Sequence, residues 1–134
     1  MSKLSTIEGI GPAVSDKLKA AGVRSVAALL KAGATPAGRR EISEKSGVDE
    51  SRVLKFVNHA DLMRIKGVGG EYSELLEAAG VDSVPELAQR NAANLAQRMA
   101  DENKRKKVVR VVPSVRSVEK WVAQAKKLGR AVSH

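Results

Sequence analysis

Leu4-Ser5-Thr6-Ile7-Glu8-Gly9-Ile10-Gly11 and Leu62-Met63-Arg64-Ile65-Lys66-Gly67-Val68-Gly69 share their apolar and glycine positions at an offset of 58 residues. The register persists: Leu18 pairs with Leu76, Ala20-Ala21-Gly22-Val23 with Ala78-Ala79-Gly80-Val81, Ser25-Val26 with Ser83-Val84, and Leu29 with Leu87. Further on, Val53-Leu54-Lys55-Phe56-Val57 resembles Val118-Glu119-Lys120-Trp121-Val122 at an offset of 65, so the second copy carries seven extra residues, and Lys104–Lys107 falls among them. A chain duplicated in this way builds one supersecondary unit twice. The expectation is a single domain over 1–134, with repeat one at 1–61, repeat two at 62–134 and pseudo-twofold symmetry between them.

The punctuation within each copy is helical. Pro12 suits the first position of a helix after Gly11, and Gly22 supplies its stop. Ser25 caps a short helix that ends near Gly33, Thr35-Pro36 starts one that stops at Gly47, and Asp49 caps a fourth. Val53, Phe56, Val57 and Ala60 then follow the i, i+3, i+4, i+7 stripe of a half-buried helix. In the second copy, Gly80 ends a helix, and Ser83-Val84-Pro85-Glu86 has capping-box spacing. Asn91 starts a longer helix, Pro113-Ser114 opens the last one and Gly129 ends it. Val118, Trp121, Val122, Ala125 and Leu128 give that last helix one apolar face, which makes Trp121 a core residue matching Phe56 rather than a stacking platform for a base. Val108–Val112 is β-branched but has no strand to pair with. The fold class read from these signals is all-α, with two tandem helix-hairpin-helix repeats packed into one compact domain.

Ile7-Glu8-Gly9-Ile10-Gly11-Pro12 and Ile65-Lys66-Gly67-Val68-Gly69-Gly70 have the apolar-x-Gly-apolar-Gly form of helix-hairpin-helix turns. Their glycines allow positive φ and close backbone approach, while Ile10 and Val68 plug into the core. A helix begins beyond each turn, and its unpaired N–H groups are suited to a phosphate. The same glycines are needed simply to make the turn. Pro12 removes one donor from the first hairpin, and Glu71, Glu74 and Glu77 oppose a phosphate at the second. Glu8-Gly9-Ile10-Gly11-Pro12, Thr35-Pro36-Ala37-Gly38-Arg39, Asn58-His59-Ala60-Asp61-Leu62 and Pro113-Ser114 together resemble the signature of a bacterial helix-hairpin-helix family labelled domain of unknown function 4332. The resemblance covers nearly the whole chain. It implies two helix-hairpin-helix units packed together and brings no established activity. Ala92-Ala93 after Asn91 departs from the proline and acid expected there.

Charge narrows the function classes. Residues 1–103 hold 14 Lys/Arg and 14 Asp/Glu, whereas residues 104–134 hold 10 Lys/Arg against the single acid Glu119, so the net charge of +9 lies in the C-terminal segment. Such a segment suits a polyanion, most simply nucleic acid; cations at a helix C-terminus are also favourable with no ligand at all. The expected function is non-enzymatic, sequence-independent binding of nucleic acid, duplex DNA first. The backbone of Gly9, Ile10, Gly11, Lys66, Gly67 and Gly69 would position phosphates. The cationic contacts would come from Lys17, Lys19, Arg39, Arg40, Lys104, Arg105, Lys106, Lys107, Arg110, Arg116, Lys120, Lys126, Lys127 and Arg130. The alternative is a protein-interaction or scaffold module in which the hairpins are only turns.

Catalysis has little to work with. His59 and His134 are the only histidines, and there is no cysteine. His59 and Asp61, close together at a helix end, read as capping and turn formation. No His/Asp/Glu set has metal-ligand spacing, so neither a metal nor a cofactor is expected. No run reaches the roughly 18–20 apolar residues that span a bilayer, and the start lacks a secretory apolar stretch, so a cytoplasmic location and no membrane partner are the expectation.

Overall fold

Side-chain caps and glycine stops partition the chain into short helices. A computed structural model describes residues 3–134, and every regular element among them is helical. A 3-10 turn (Leu4–Thr6) precedes α1 (Pro12–Ala20), α2 (Val26–Ala32), α3 (Pro36–Ser46), α4 (Glu50–Leu62), α5 (Gly70–Ala78), α6 (Val84–Ala88), α7 (Ala92–Lys106) and α8 (Val115–Lys127). Ser25, Thr35, Ser83, Asn91 and Ser114 each accept a backbone N–H at the start of α2, α3, α6, α7 and α8. Each cap satisfies one donor that the helix cannot satisfy itself.

The chain divides into two units. Unit one runs to Asp61 and takes back Ala131–His134; unit two is Leu62–Arg130. Unit one buries Leu4, Ile7, Ile10, Leu18, Leu29, Ile42, Val53, Phe56 and Val57 together with Val132. Unit two buries Leu62, Ile65, Val68, Leu75, Leu76, Leu87, Leu95, Met99, Val118, Trp121 and Val122 in one cluster. Within it α8 packs on α6 and α7, and α5 packs on α7.

The same backbone hydrogen bonds occur in both units, 58 residues apart. Ile10 N–H donates to Ile7 O (3.1 Å) and Val68 N–H to Ile65 O (3.0 Å); Ser15 N–H donates to Gly11 O and Ser73 N–H to Gly69 O (both 2.9 Å). At the far end of α1, Val23 N–H reaches Leu18 O and Gly22 N–H reaches Lys19 O, while at the end of α5 Val81 N–H reaches Leu76 O and Gly80 N–H reaches Glu77 O. This is the doubly bonded helix stop that needs a glycine and welcomes an apolar residue after it; Val23 and Val81 are both buried. Sequence similarity between the copies therefore extends to individual backbone bonds.

One apolar expectation changes and one holds. Leu128 does not complete the buried face of α8: it is the C-cap, with extended backbone, and 37% of its surface is exposed. Val108–Val112 forms no strand; Val109 is buried and Val111 is 71% exposed.

Candidate nucleic-acid interface

Each of the two turns, before α1 and before α5, is tightened by a glycine and covered by an aromatic ring. Gly9 (φ +93°) and Gly67 (φ +98°) lie in the left-handed region that a side chain disfavours. A Cβ at Gly9 would come to 3.2 Å from the Phe56 ring, and one at Gly67 to 3.1 Å from Trp121 Nε1. Ile10 and Val68 are both buried, each 4% exposed. The helices that follow begin differently from those capped by Ser, Thr or Asn. Gly11 and Gly69 are the N-caps of α1 and α5, and neither can supply a side-chain acceptor. In α5 the first turn carries Glu71, an anion already favourable at that helix end. In α1 the first residue is Pro12, which has no N–H.

Other parts of the turn before α5 are already engaged. Lys66 N–H donates to Gln124 Oε1 (2.9 Å), Gln124 Nε2 donates to Lys66 O (3.2 Å), and Arg64 donates to Gly129 O (2.9 Å). The backbone of Lys66 is thus spent on α8, and what it offers a phosphate is its exposed ammonium. Lys17 and Lys19 stand in the last turn of α1, not beside the first hairpin. At 1.5 Å per residue they lie about 9–12 Å along the axis from Gly11, so they are not cationic partners of a phosphate at that turn.

Arg39 also leaves the candidate set. It is 5% exposed, and its guanidinium donates to Gly33 O and Ser133 O, both at 2.8 Å. Burial pushes it below its ordinary value, with Glu50 opposing the shift. It is a core tie, out of reach of an external phosphate. Arg40 is exposed and faces Glu50, Nε to Oε1 at 3.8 Å. His59 and Asp61 are both fully buried in the last turn of α4.

The basic segment of unit two is different. Lys104, Arg105 and Lys106 form the last turn of α7, and Lys107 caps it in a left-handed conformation (φ 51°, ψ 48°). Arg105 approaches Glu102 at 3.6 Å. The following loop is held by the Asn103 amide, which donates to Val109 O and accepts from Val109 N–H, both at 3.0 Å. Tyr72 Oη adds a bond to Val111 O at 2.9 Å. On α8, Arg116, Lys120 and Lys127 stand at i, i+4 and i+11, within about 40° of one another around the axis. Trp121 and Val122 bury the other side. Lys126 lies off that stripe, on the side of the helix that carries Glu119. All ten cations from Lys104 to Arg130 are exposed.

Unit one holds 10 Lys/Arg against 7 Asp/Glu, and unit two 14 against 8. The pinning of Lys66 by Gln124 and of Arg39 by the C-terminal tail had no sequence signal, because an amide or a carbonyl announces no partner. No group of three or more potential metal ligands is brought together among the described residues. No helix among them is long and apolar enough to cross a membrane.

A family model described as a domain of unknown function (DUF4332) matches residues 8–128. Comparison with curated proteins and with solved structures finds no match.

Proposed function

The chain belongs to that family, and we propose that it is a tandem helix-hairpin-helix module that binds duplex nucleic acid without catalysis and without reading sequence. The observation that carries this reading is the exposure of all ten cations between Lys104 and Arg130, with Glu119 the one acid among them. The loop joining α7 to α8 is held by Asn103 and Tyr72, so Lys107 and Arg110 are carried on an ordered segment between the cations of the two helices. Arg116, Lys120 and Lys127 form a stripe suited to successive backbone phosphates, and Lys104, Lys106 and Lys107 add exposed cations at the end of α7. Phosphate contacts of this kind position a duplex and carry no sequence information. The paired hairpins, with glycine N-caps on α1 and α5, support the helix-hairpin-helix reading.

The test is a salt titration of binding to duplex DNA, single strands and structured RNA. Changing Lys104, Arg105, Lys106 and Lys107 to Gln should leave the fold intact. If each neutralises one phosphate, the slope of log K against log salt falls by about 3.6 on B-form DNA, at about 0.9 per contact. No binding by the wild type at low salt, or an unchanged slope in the variant, overturns the proposal. A second reading, a protein-interaction module, draws on the apolar exposure of Val111 and Val115 within the same segment. It predicts the first of those outcomes.

A further inference from the structure

Unit one carries a basic feature that the interface above does not use. Lys3, Leu4, Ser5, Ser15, Lys19 and Arg24 line a depression of about 270 Å3. Lys3 and Ser5 come from the 3-10 turn and its N-cap, Ser15 and Lys19 from α1, and Arg24 from the loop before α2. Ser15 and Lys19 are four residues apart, so they share a face of α1. The lining contains three cations, two hydroxyls and no carboxylate. Lys3, Lys19 and Arg24 are exposed, and none enters an ion pair among the described residues.

The duplication supplies an internal control. At the offset of 58, Lys3, Lys19 and Arg24 correspond to Asp61, Glu77 and Asp82. The ends of α1 and α5 make the same backbone bonds, so this backbone accepts an acid where the first copy has Lys19 or Arg24. The fold does not demand these cations. Three like charges around one concavity repel one another, and a bound anion removes that cost.

We propose that this depression binds a phosphoryl group, in the form of a phosphate monoester or a terminal phosphate. A carboxylate brings one charge to three cations, whereas a phosphate monoester brings nearly two charges and three strong acceptor oxygens. Arg24 is suited to a bidentate contact, Lys3 and Lys19 act as point charges, and the Ser5 and Ser15 hydroxyls donate to the remaining acceptors. The depression is roomier than a bare phosphate requires, which leaves space for the group the phosphate is attached to. This site is independent of the unit-two interface.

The experiment is an amide NMR titration of the full chain with inorganic phosphate, then a nucleoside 5′-monophosphate, then duplexes with and without a 5′-phosphate. Saturable shifts at Ser5, Ser15, Lys19 and Arg24 are expected. A response to phosphate or mononucleotide assigns a free ligand; a response only to the 5′-phosphorylated duplex assigns a nucleic-acid end. Lys19→Glu with Arg24→Asp installs the second copy's residues and should weaken binding at least tenfold with amide dispersion retained. Lys19→Gln with Arg24→Gln serves if that variant fails to fold. Changing Lys104–Lys107 to Gln must leave the binding of phosphate and mononucleotide, and any preference for the 5′-phosphorylated duplex over the unphosphorylated one, unaltered. Shifts that do not saturate, or equal affinity in the swapped variant, overturn the proposal. So do shifts at Glu77 and Asp82 that grow with protein concentration alone, which would assign the depression to a second copy of the chain.

Discussion

Arg39 sits in a family-like Thr-Pro-Ala-Gly-Arg run and is exposed by no more than 5%. Replacing it by Met keeps the bulk of the stem but leaves Gly33 O and Ser133 O without their donor. Each lost charge-assisted hydrogen bond costs about 1.5–3 kcal/mol, so Arg39→Met should lower the unfolding free energy, read from denaturant titration, by at least that amount while leaving the salt slope of any nucleic-acid binding unchanged. An altered slope in a variant of normal stability would return Arg39 to the surface. Trp121 is the matching case in unit two: 5% exposed, its ring centroid 5.3 Å from that of Tyr72, its indole against Gly67. Trp121→Ala should cost about 3–5 kcal/mol, read from thermal unfolding; a wild-type melting temperature would show that the ring is not core. Trp121 was legible in the sequence because its helical spacing and its match to Phe56 agree. Arg39 was not, because nothing in a linear pattern says which carbonyls an arginine will reach.

The helices themselves were written in caps and stops. Ser25, Thr35-Pro36, Ser83, Asn91 and Ser114 begin helices where the sequence placed them, and Gly47 ends α3 in the left-handed region. The departure comes where local chemistry is silent. Leu128 fits the apolar period of α8, yet the helix ends at Lys127 and the side chain turns toward solvent. The loop after α7 has β-branched residues, but its path is set by the Asn103 amide rather than by a strand partner. Asn103→Ala removes both bonds to Val109. Faster hydrogen exchange at the Val109 amide is the expected outcome, with a stability loss of about 1 kcal/mol for these half-exposed bonds. If the loop presents cations to a polyanion, the same variant should weaken binding without changing charge. Retained protection at Val109 would show that Tyr72 alone holds the loop.

Across the whole chain, the all-helical class was visible in the sequence, and the division between Asp61 and Leu62 falls where the 58-residue similarity restarts. The return of the chain end to unit one was not. Val132 is 2% exposed, Ser133 N–H donates to Ala34 O at 2.8 Å, and His134 Nε2 lies 2.9 Å from Asn58 Oδ1. A short stretch of Ala, Val, Ser and His carries no period from which burial can be read. Removing residues 131–134 should therefore destabilise unit one: amides around Ala34, Arg39 and Asn58 lose exchange protection, while those around Leu76 and Trp121 keep theirs. Uniform loss, or none, would contradict the assignment of the tail to unit one. The arrangement also has a consequence for synthesis. A ribosome releases the chain from its N-terminus at about 5–20 residues per second, so the segment Leu62–Arg130 takes on the order of 3–14 s to translate. Throughout that interval the nascent N-terminal half lacks the valine that completes its interior, and its maturation waits on a codon stretch read after its neighbour's.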